Sequence, residues 1–331
     1  MKQRPSLACA VAGLGRIGAL LESDTLREKP ATHSGAIAKN PDCVLVAGCD
    51  LDEERRKRFE KEWGVKATYA ETGAMLNAHR IDILHVATPP HTHLQIVTEA
   101  VGRGVAVVVC EKPLAPTAAE AEKIASLHEN GRAKILVNHE RRYSKDYLKA
   151  KRHIGEMSFG PLRSIHAALY MGERRPAHAV LLDDGTHLVD IVRFLTDREI
   201  EVLSARRFHD STADAILVTA EAGGVPLLFE TASGRNHVTF ELDLSFHRGR
   251  IRIGNGLYEE YESGPSPHYE SMRSLARKPA RRPYPTGYFS GMVADAVSCA
   301  KNPQHMPVSS AVDGLRAIEI IETVKQMAGT P

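Results

Sequence analysis

The sequence predicts an α/β protein: an N-terminal Rossmann doubly wound parallel sheet, then a C-terminal α/β domain with a large open, mostly antiparallel sheet. Three observations predict it. In the first third, short and nearly continuous apolar runs alternate with stretches of helical spacing, the pattern of parallel strands covered on both faces. After about residue 160, strand-like runs follow one another without long helices, which implies antiparallel meanders. The 331 residues, 43% hydrophobic and 25% charged, suffice for two cores. The division is expected at residues 140/141, with the last helix placed to pack back on the N-terminal domain.

Taken in order, the strands of the first sheet are expected at Leu7–Ala12, Val44–Cys49, Ile83–Ala87, Val105–Cys110 and Lys134–Val137. Helical spacing marks Glu53–Trp63 and Leu94–Arg103 between them. The second region offers strands at Ser164–Met171, Val202–Phe208, Ala215–Glu221, Pro226–Thr231, Val238–Phe246 and Ile251–Ile253, with a helix over Gly185–Leu195 near its start. Two helices, Tyr288–Ala300 and Ala311–Met327, close the chain. The Pro-rich, basic stretch 265–285 reads as a long loop.

Bulk charge narrows the classes of partner. Lys and Arg number 43 against 41 Asp and Glu, a net charge of +2, so no global field draws nucleic acid or a membrane surface. No window reaches the roughly 18 apolar residues that span a bilayer. The start, MKQRPSLACAVAGLGRIGALL, resembles a signal peptide, but Arg16 interrupts the apolar run and the glycines have another use. None of the five cysteines forms a CxxC pair and four lie in or beside apolar runs, which points to a reducing, cytoplasmic compartment.

That other use is a dinucleotide turn. In CAVAGLGRIGALL, Gly13, Gly15 and Gly18 follow the first strand directly. Gly13 permits the tight turn, Gly15 lets the backbone approach a pyrophosphate, and Gly18 lets helix and strand pack closely. The helix that should begin here offers amide donors to the phosphates. Asp50, at the end of strand two, is placed to accept from both hydroxyls of the adenosine ribose and to repel a 2′-phosphate. NAD is therefore the expected cofactor, with NADP the alternative that Arg55 and Arg56 keep open, although a solvated helix face is the simpler reading of those two arginines. The distance from Gly13 to Asp50 far exceeds the ~20 residues usual between turn and acid. The surplus, LLESDTLREKPATHSG, contains Pro30, which should end a helix, and implies an insertion before a second helical piece near His33–Lys39.

Ligands of such a sheet lie beyond the carboxyl ends of its strands. The tips of strands three and four, ATPPHTH and CEKP, should share a crevice with the glycine turn, which puts Glu111 and Lys112 over the nicotinamide. The cofactor set is thus Gly13, Leu14, Gly15, Arg16, Ile17, Gly18, Asp50, Leu51, Thr88, Pro89, His93, Glu111 and Lys112. A lysine at that place can hydrogen-bond a substrate oxygen. In LLDDGTHLVDIVRFL, Asp183 and His187 are four apart on one expected helix and so share a face, with Asp190 three further on, an acid/base arrangement. The plain alternatives are a packed histidine and an aspartate N-cap. His91 and His93 have no ligand cluster at supporting spacing, so no metal is expected.

With these pieces located, the sequence resembles the glucose–fructose oxidoreductase/inositol dehydrogenase family, Gfo/Idh/MocA. AGLGRIG, TPPHTH, CEKPLA, NHERRY and LLDDGTHLVD occur in family order, and the likeness extends to the terminal PVSSAVDGLRAIEIIETV. The resemblance implies NAD(P)-dependent transfer of a hydride between nicotinamide and a carbon of a sugar, cyclitol or nucleotide sugar. It implies that Lys112 polarises the reacting oxygen, that His187 is the acid/base, that Asp183 orients substrate or relays the proton, and that Arg142 falls near the cofactor or substrate edge. It also implies substrate binding by the C-terminal domain (residues 141–331) and a homodimer or homotetramer formed through its sheet. The family's histidine shortly after the glycines is displaced here, with His33 its candidate. A non-catalytic dinucleotide sensor and an NAD-dependent lyase or glycosidase are the competing readings. The basic residues Arg273, Arg277, Lys278, Arg281 and Arg282 would meet a diphosphate if the substrate were a nucleotide sugar.

Overall fold

Strands buried on both faces should be largely apolar, and in the computed structural model, which describes residues 6–330, those of the first sheet are, apart from His85, Lys134 and the short edge pair Thr68-Tyr69. β1 (Leu7–Ala12), β2 (Cys43–Cys49), β3 (Thr68–Tyr69), β4 (Ile83–Val86), β5 (Val107–Cys110) and β6 (Lys134–Val137) form a parallel six-stranded sheet in the order β3-β2-β1-β4-β5-β6. Every residue of β4 and β5 is buried. Alternate side chains feed two cores. One gathers Met75, Leu84, Val97, Val108, Ile124 and Ile135, the other Val11, Leu14, Ile37, Phe59, Val109 and Leu136. The crossover helices are α1 (His33–Lys39), α2 (Glu53–Trp63), α3 (Thr72–Ala78), α4 (His93–Gly102) and α5 (Ala118–Glu129). α2 shows why its bounds were legible: the Asp52 carboxylate caps the Glu54 and Arg55 N–H groups, and Gly64 ends the helix at φ 70°.

The helix expected directly after the glycines does not form there. The chain turns, makes a short 3-10 segment at Leu20–Ser23, and runs through Pro30 before α1 begins. The excursion is pinned at its neck. The Glu22 carboxylate accepts from Ala31 N–H (2.9 Å) and from the Thr32 hydroxyl (2.9 Å). His33 N–H then donates to the Ile17 carbonyl (3.1 Å) and Ser34 N–H to that of Gly18 (3.0 Å), so α1 resumes the path at the point where the turn left it. The inserted segment is a loop-out, and the seven-residue α1 is what remains of the first helix.

In the second unit, α6 (Lys145–Gly155) precedes β7 (Leu162–Tyr170), followed by α7 (Ala177–Asp183) and α8 (Gly185–Thr196). There follow β8 (Ile200–His209), β9 (Asp214–Ala222), β10 (Val225–Ser233), β11 (Thr239–Phe246), β12 (Gly249–Gly254), β13 (Leu257–Pro265) and β14 (Arg273–Arg277). The sheet has eight strands in the order β14-β13-β12-β11-β7-β10-β9-β8, antiparallel except where β10 runs parallel to β7. Strict alternation of burial along β11 shows one covered face and one open face. Cross-strand ion pairs, Arg250 with Asp243 and Arg252 with Glu241 and Glu259, occupy the open face. β14 lies inside the stretch expected to be a loop. Its pairing with β13 is held by Arg277–Glu259 (2.9 Å), and Lys278–Glu262 (2.9 Å) follows directly, rather than by a buried apolar row, so hydrophobic periodicity gave no sign of it.

The chain re-enters the first unit through α9 (Tyr288–Lys301), whose Phe289, Met292, Val293 and Ala296 complete the second core, and ends in α10 (Ala311–Met327). The first unit is Met1–Tyr143 with Gly287–Ile318, the second Ser144–Thr286 with Glu319–Pro331. The single division expected at 140/141 is therefore replaced by three crossings, the last within α10.

Candidate active site

Strand register brings the tips of β1, β4 and β5 to one edge of the sheet: Ala12 lies beside Val86, and Val86 beside Cys110. Gly13, immediately past that edge, has φ +93°, and a Cβ on it would lie 2.5 Å from the Ala87 backbone. A Cβ on Gly18 would lie 1.9 Å from the Gly13 carbonyl oxygen. Gly15 differs, since a Cβ there would meet only the end of the Arg55 guanidinium, at 3.5 Å. Packing within the protein does not demand glycine at 15, whereas close approach of a ligand to that backbone does.

Asp50 is tied to this turn. Its carboxylate accepts from Leu14 N–H (2.8 Å) and Asp52 N–H (2.9 Å), and the Arg55 guanidinium lies 3.5 Å away. Arg56 turns back onto the Asp50 and Leu51 carbonyls. Arg55 stays exposed, as a solvated helix face would, whereas Arg56 is half-buried against the tip of β2. Arg16 and Leu51 are exposed, and Ile17 is half-buried.

At the tip of β5, Glu111 and Lys112 part company. Glu111 is 7% exposed and turns inward. One oxygen meets His33 Nε2 (2.8 Å) and the Asn138 amide, and the other accepts from the main-chain N–H of Lys112 (3.3 Å). Burial alone would push its carboxyl up, yet the His33, Asn138 and Lys112 interactions outweigh that and hold it below the usual range. His33 Nδ1 lies 2.9 Å from Nδ1 of His85, a wholly buried residue of β4 whose pKa burial drives well below the ordinary histidine value. Sequence reasoning missed His85 and Asn138. Glu111, expected to contact cofactor, also anchors this run of buried polar groups.

His93 likewise has a bracing place. Its ring nitrogens face the carbonyls of Thr88 (2.8 Å) and Leu114 (3.1 Å), clipping the β4 tip to the segment after Lys112. Thr88 accepts from the Thr92 hydroxyl (2.7 Å), and Pro89 precedes a short 3-10 turn. Arg142 is buried and holds the Val308 carbonyl (2.7 Å) and the Asp313 carboxylate (3.0 Å), binding the returning segment to the first unit. Among the described residues one grouping has metal-ligand types in reach of one another, Asp295, Cys299 and His305. The Asp295 carboxylate there already takes the Tyr143 hydroxyl, Val308 N–H and His305, and burial pushes the Cys299 thiol up to about 12, so the group works as a strap anchor.

In the second unit, Asp183 ends α7 and His187 lies in the first turn of α8, with a break at Asp184. The two are therefore not four apart on one helix, and the shared-face argument fails for them; it holds for His187 and Asp190, both within α8 and both buried. What fixes Asp183 is Arg175, whose guanidinium forks to Asp183 (3.0 Å) and Asp184 (2.7 Å). The sequence signal for this residue was the pair Arg174-Arg175 before Pro176. Of the basic residues read as a diphosphate site, Arg277, Lys278 and Arg282 are paired with Glu259, Glu262 and Asp146, and Arg273 with Ser263.

A parallel β3-β2-β1-β4-β5-β6 sheet with a glycine turn at its switch point and an acid at the neighbouring tip of β2 has the form of a dinucleotide-binding Rossmann unit. Residues 7–139 match the family described as "Oxidoreductase family, NAD-binding Rossmann fold", GFO_IDH_MocA. Its cofactor class is NAD. An inositol 2-dehydrogenase of Salmonella paratyphi B is 24% identical over 238 residues, 70% of this chain and 66% of that protein. Inositol 2-dehydrogenase 1 of Saccharopolyspora erythraea is 30% identical over 235 residues, 68% of this chain and 64% of its own length. The matched stretch thus spans just under two thirds of these relatives. A solved dehydrogenase from Chromobacterium violaceum has the same fold, with TM-score 0.83 at 16% identity, covering 98% of this chain and 96% of that one.

Proposed function

We propose that this protein is a dehydrogenase or reductase acting on a CH–OH carbon of a sugar or cyclitol. The observation that carries the reading is the placement of Lys112 at the same edge of the parallel sheet as the open backbone of Gly15, on strands held in register. When bound, NAD supplies the ring that accepts or gives a hydride. Lys112 then hydrogen-bonds the reacting oxygen and steadies the charge that develops on it. His187 takes or returns the hydroxyl proton, and Asp183, fixed by the guanidinium of Arg175, orients the substrate hydroxyls. Each such polar helper typically contributes ~10²–10⁴-fold.

The named activities of the relatives favour a neutral polyol. The engagement of Arg277, Lys278 and Arg282 with acids of their own unit argues the same way against a nucleotide sugar. Exposed Phe208, Leu217 and Leu228 on the open sheet face support pairing of copies through that face. The test is a screen of cyclitols, sugars and nucleotide sugars with NAD and NADH, read at the nicotinamide absorbance. Net NADH formation from a cyclitol or sugar supports the reading. Turnover of a sugar without net NADH would favour elimination or glycoside cleavage, and NAD binding with no turnover of any substrate would favour a sensor.

A further inference from the structure

Beside the dinucleotide turn, the first unit buries a run of polar groups where apolar side chains would pack more cheaply: Asn138, Glu111, His33 and His85, each 7% exposed or less. Their order in space is continuous. Glu111 can only accept, so His33 donates to it from Nε2–H, and His33 Nδ1 shares a hydrogen bond with Nδ1 of His85. His85 Nε2 has no hydrogen-bond partner, so the run ends inside the core, and Phe289 of α9 packs edge-on against the His33 ring. Replacing such a buried network by apolar residues is often neutral or stabilising, which makes stability a poor reason for keeping it. Its other end is more telling. The second oxygen of Glu111 grips the main-chain N–H of Lys112, the residue on which the proposed chemistry depends.

We propose that His33 and His85 are positioning residues: through Glu111 they fix the main chain at Lys112, and so the place from which its ammonium meets the substrate oxygen. The inference rests on the catalytic reading of Lys112 given above. His33 reaches this position only because the inserted segment 19–31 loops out and returns α1 to Gly18, so the insertion preserves the brace. A displacement of about 1 Å at a reacting group costs on the order of 10²-fold in rate, and that is the effect the brace prevents.

The test compares His33→Leu with His33→Gln in the intact protein. Glutamine can place an amide N–H near Nε2 and keep the bond to Glu111; leucine cannot. We expect His33→Leu to lose roughly 10–100-fold in kcat while the Kd for NAD stays within about threefold. Hydrogen exchange at the Lys112 amide, read by mass spectrometry without cofactor, should rise, and His33→Gln should recover most of both losses. Equal kcat in the two variants, or His33→Leu with wild-type kcat and unchanged exchange, overturns the proposal. If His33→Leu does not fold, the pair His85→Leu and His85→Asn asks the same question, with asparagine retaining a donor near Nδ1 and expected to be the more active. Lys112→Ala separates the two layers: full turnover in that variant refutes the catalytic reading, whereas faster Lys112 exchange in His33→Leu reports the brace alone.

Discussion

Asp50→Ala perturbs the turn, where the structure sets the size of the effect, and, on the reading of Asp50 as the ribose acceptor, the cofactor as well. The carboxylate accepts two main-chain N–H groups, at 2.8 Å from Leu14 and 2.9 Å from Asp52. Leu14 is fully buried, so its N–H has no recourse to water once the acceptor is removed; a buried orphan donor costs about 1–3 kcal/mol. Asp52 is exposed and recovers most of its bond from solvent, adding a few tenths. The expected loss of stability in the first unit is thus ~1–3 kcal/mol, a drop of a few degrees in its melting temperature. On the cofactor, loss of a charge-assisted acceptor for the ribose should weaken NAD binding ~10–100-fold. NADP, whose 2′-phosphate the carboxylate repels and whose charge Arg55 then faces unopposed, should weaken less or gain. Calorimetric titration with both cofactors is the assay. An unchanged ratio of NAD to NADP affinity would refute the reasoning about Asp50, whatever happened to stability.

Two further outcomes follow from the same geometry. Gly18→Ala drives a methyl group to 1.9 Å from the Gly13 carbonyl, so the turn must shift; NAD affinity should fall by at least ~100-fold and thermal stability by ~3 kcal/mol or more, measurable by fluorescence titration and melting. His85 and His93 are both buried with pKa values lowered by desolvation, so below pH ~6.5 the unfolded chain binds protons that the folded one does not. Stability should therefore fall as pH drops from about 6.5 towards the lowered folded values, approaching ~1.4 kcal/mol per pH unit for each group, and a urea midpoint that stays level or rises between pH 7 and pH 5.5 would contradict this.

Much of this was legible because the responsible physics is local. Strands such as Leu7–Ala12 and Val107–Cys110 are buried and announce themselves as unbroken apolar runs, and Glu53–Trp63 carries its own cap and glycine stop. The glycine turn and the tip of β5 could be placed because a parallel sheet collects its strand ends at one edge. What stayed hidden depends on partners far away in sequence. β14 is held by cross-strand charges, with no hydrophobic period to betray it. The break at Asp184 follows no proline or glycine stop before it, so the sequence read one helix over Asp183 and His187. Arg175, which fixes both aspartates, precedes α7 and reaches along its whole length, a contact that helical spacing rules do not give. The inward turn of Glu111 could not be read from the pair Glu111-Lys112, since it depends on His33 and Asn138, 78 and 27 residues away.

The central proposal is that Lys112 steadies the reacting oxygen while His187 moves the proton in the same chemical step. The direct measurement is kcat for Lys112→Ala, His187→Ala and the double variant, with the substrate found by the screen and NAD affinity measured alongside. The account predicts a loss of ~10²–10⁴-fold in each single variant, NAD affinity within a few fold of wild type, and a double variant scarcely worse than the poorer single. Near-wild-type kcat in either single variant, or losses that simply multiply in the double, would contradict it.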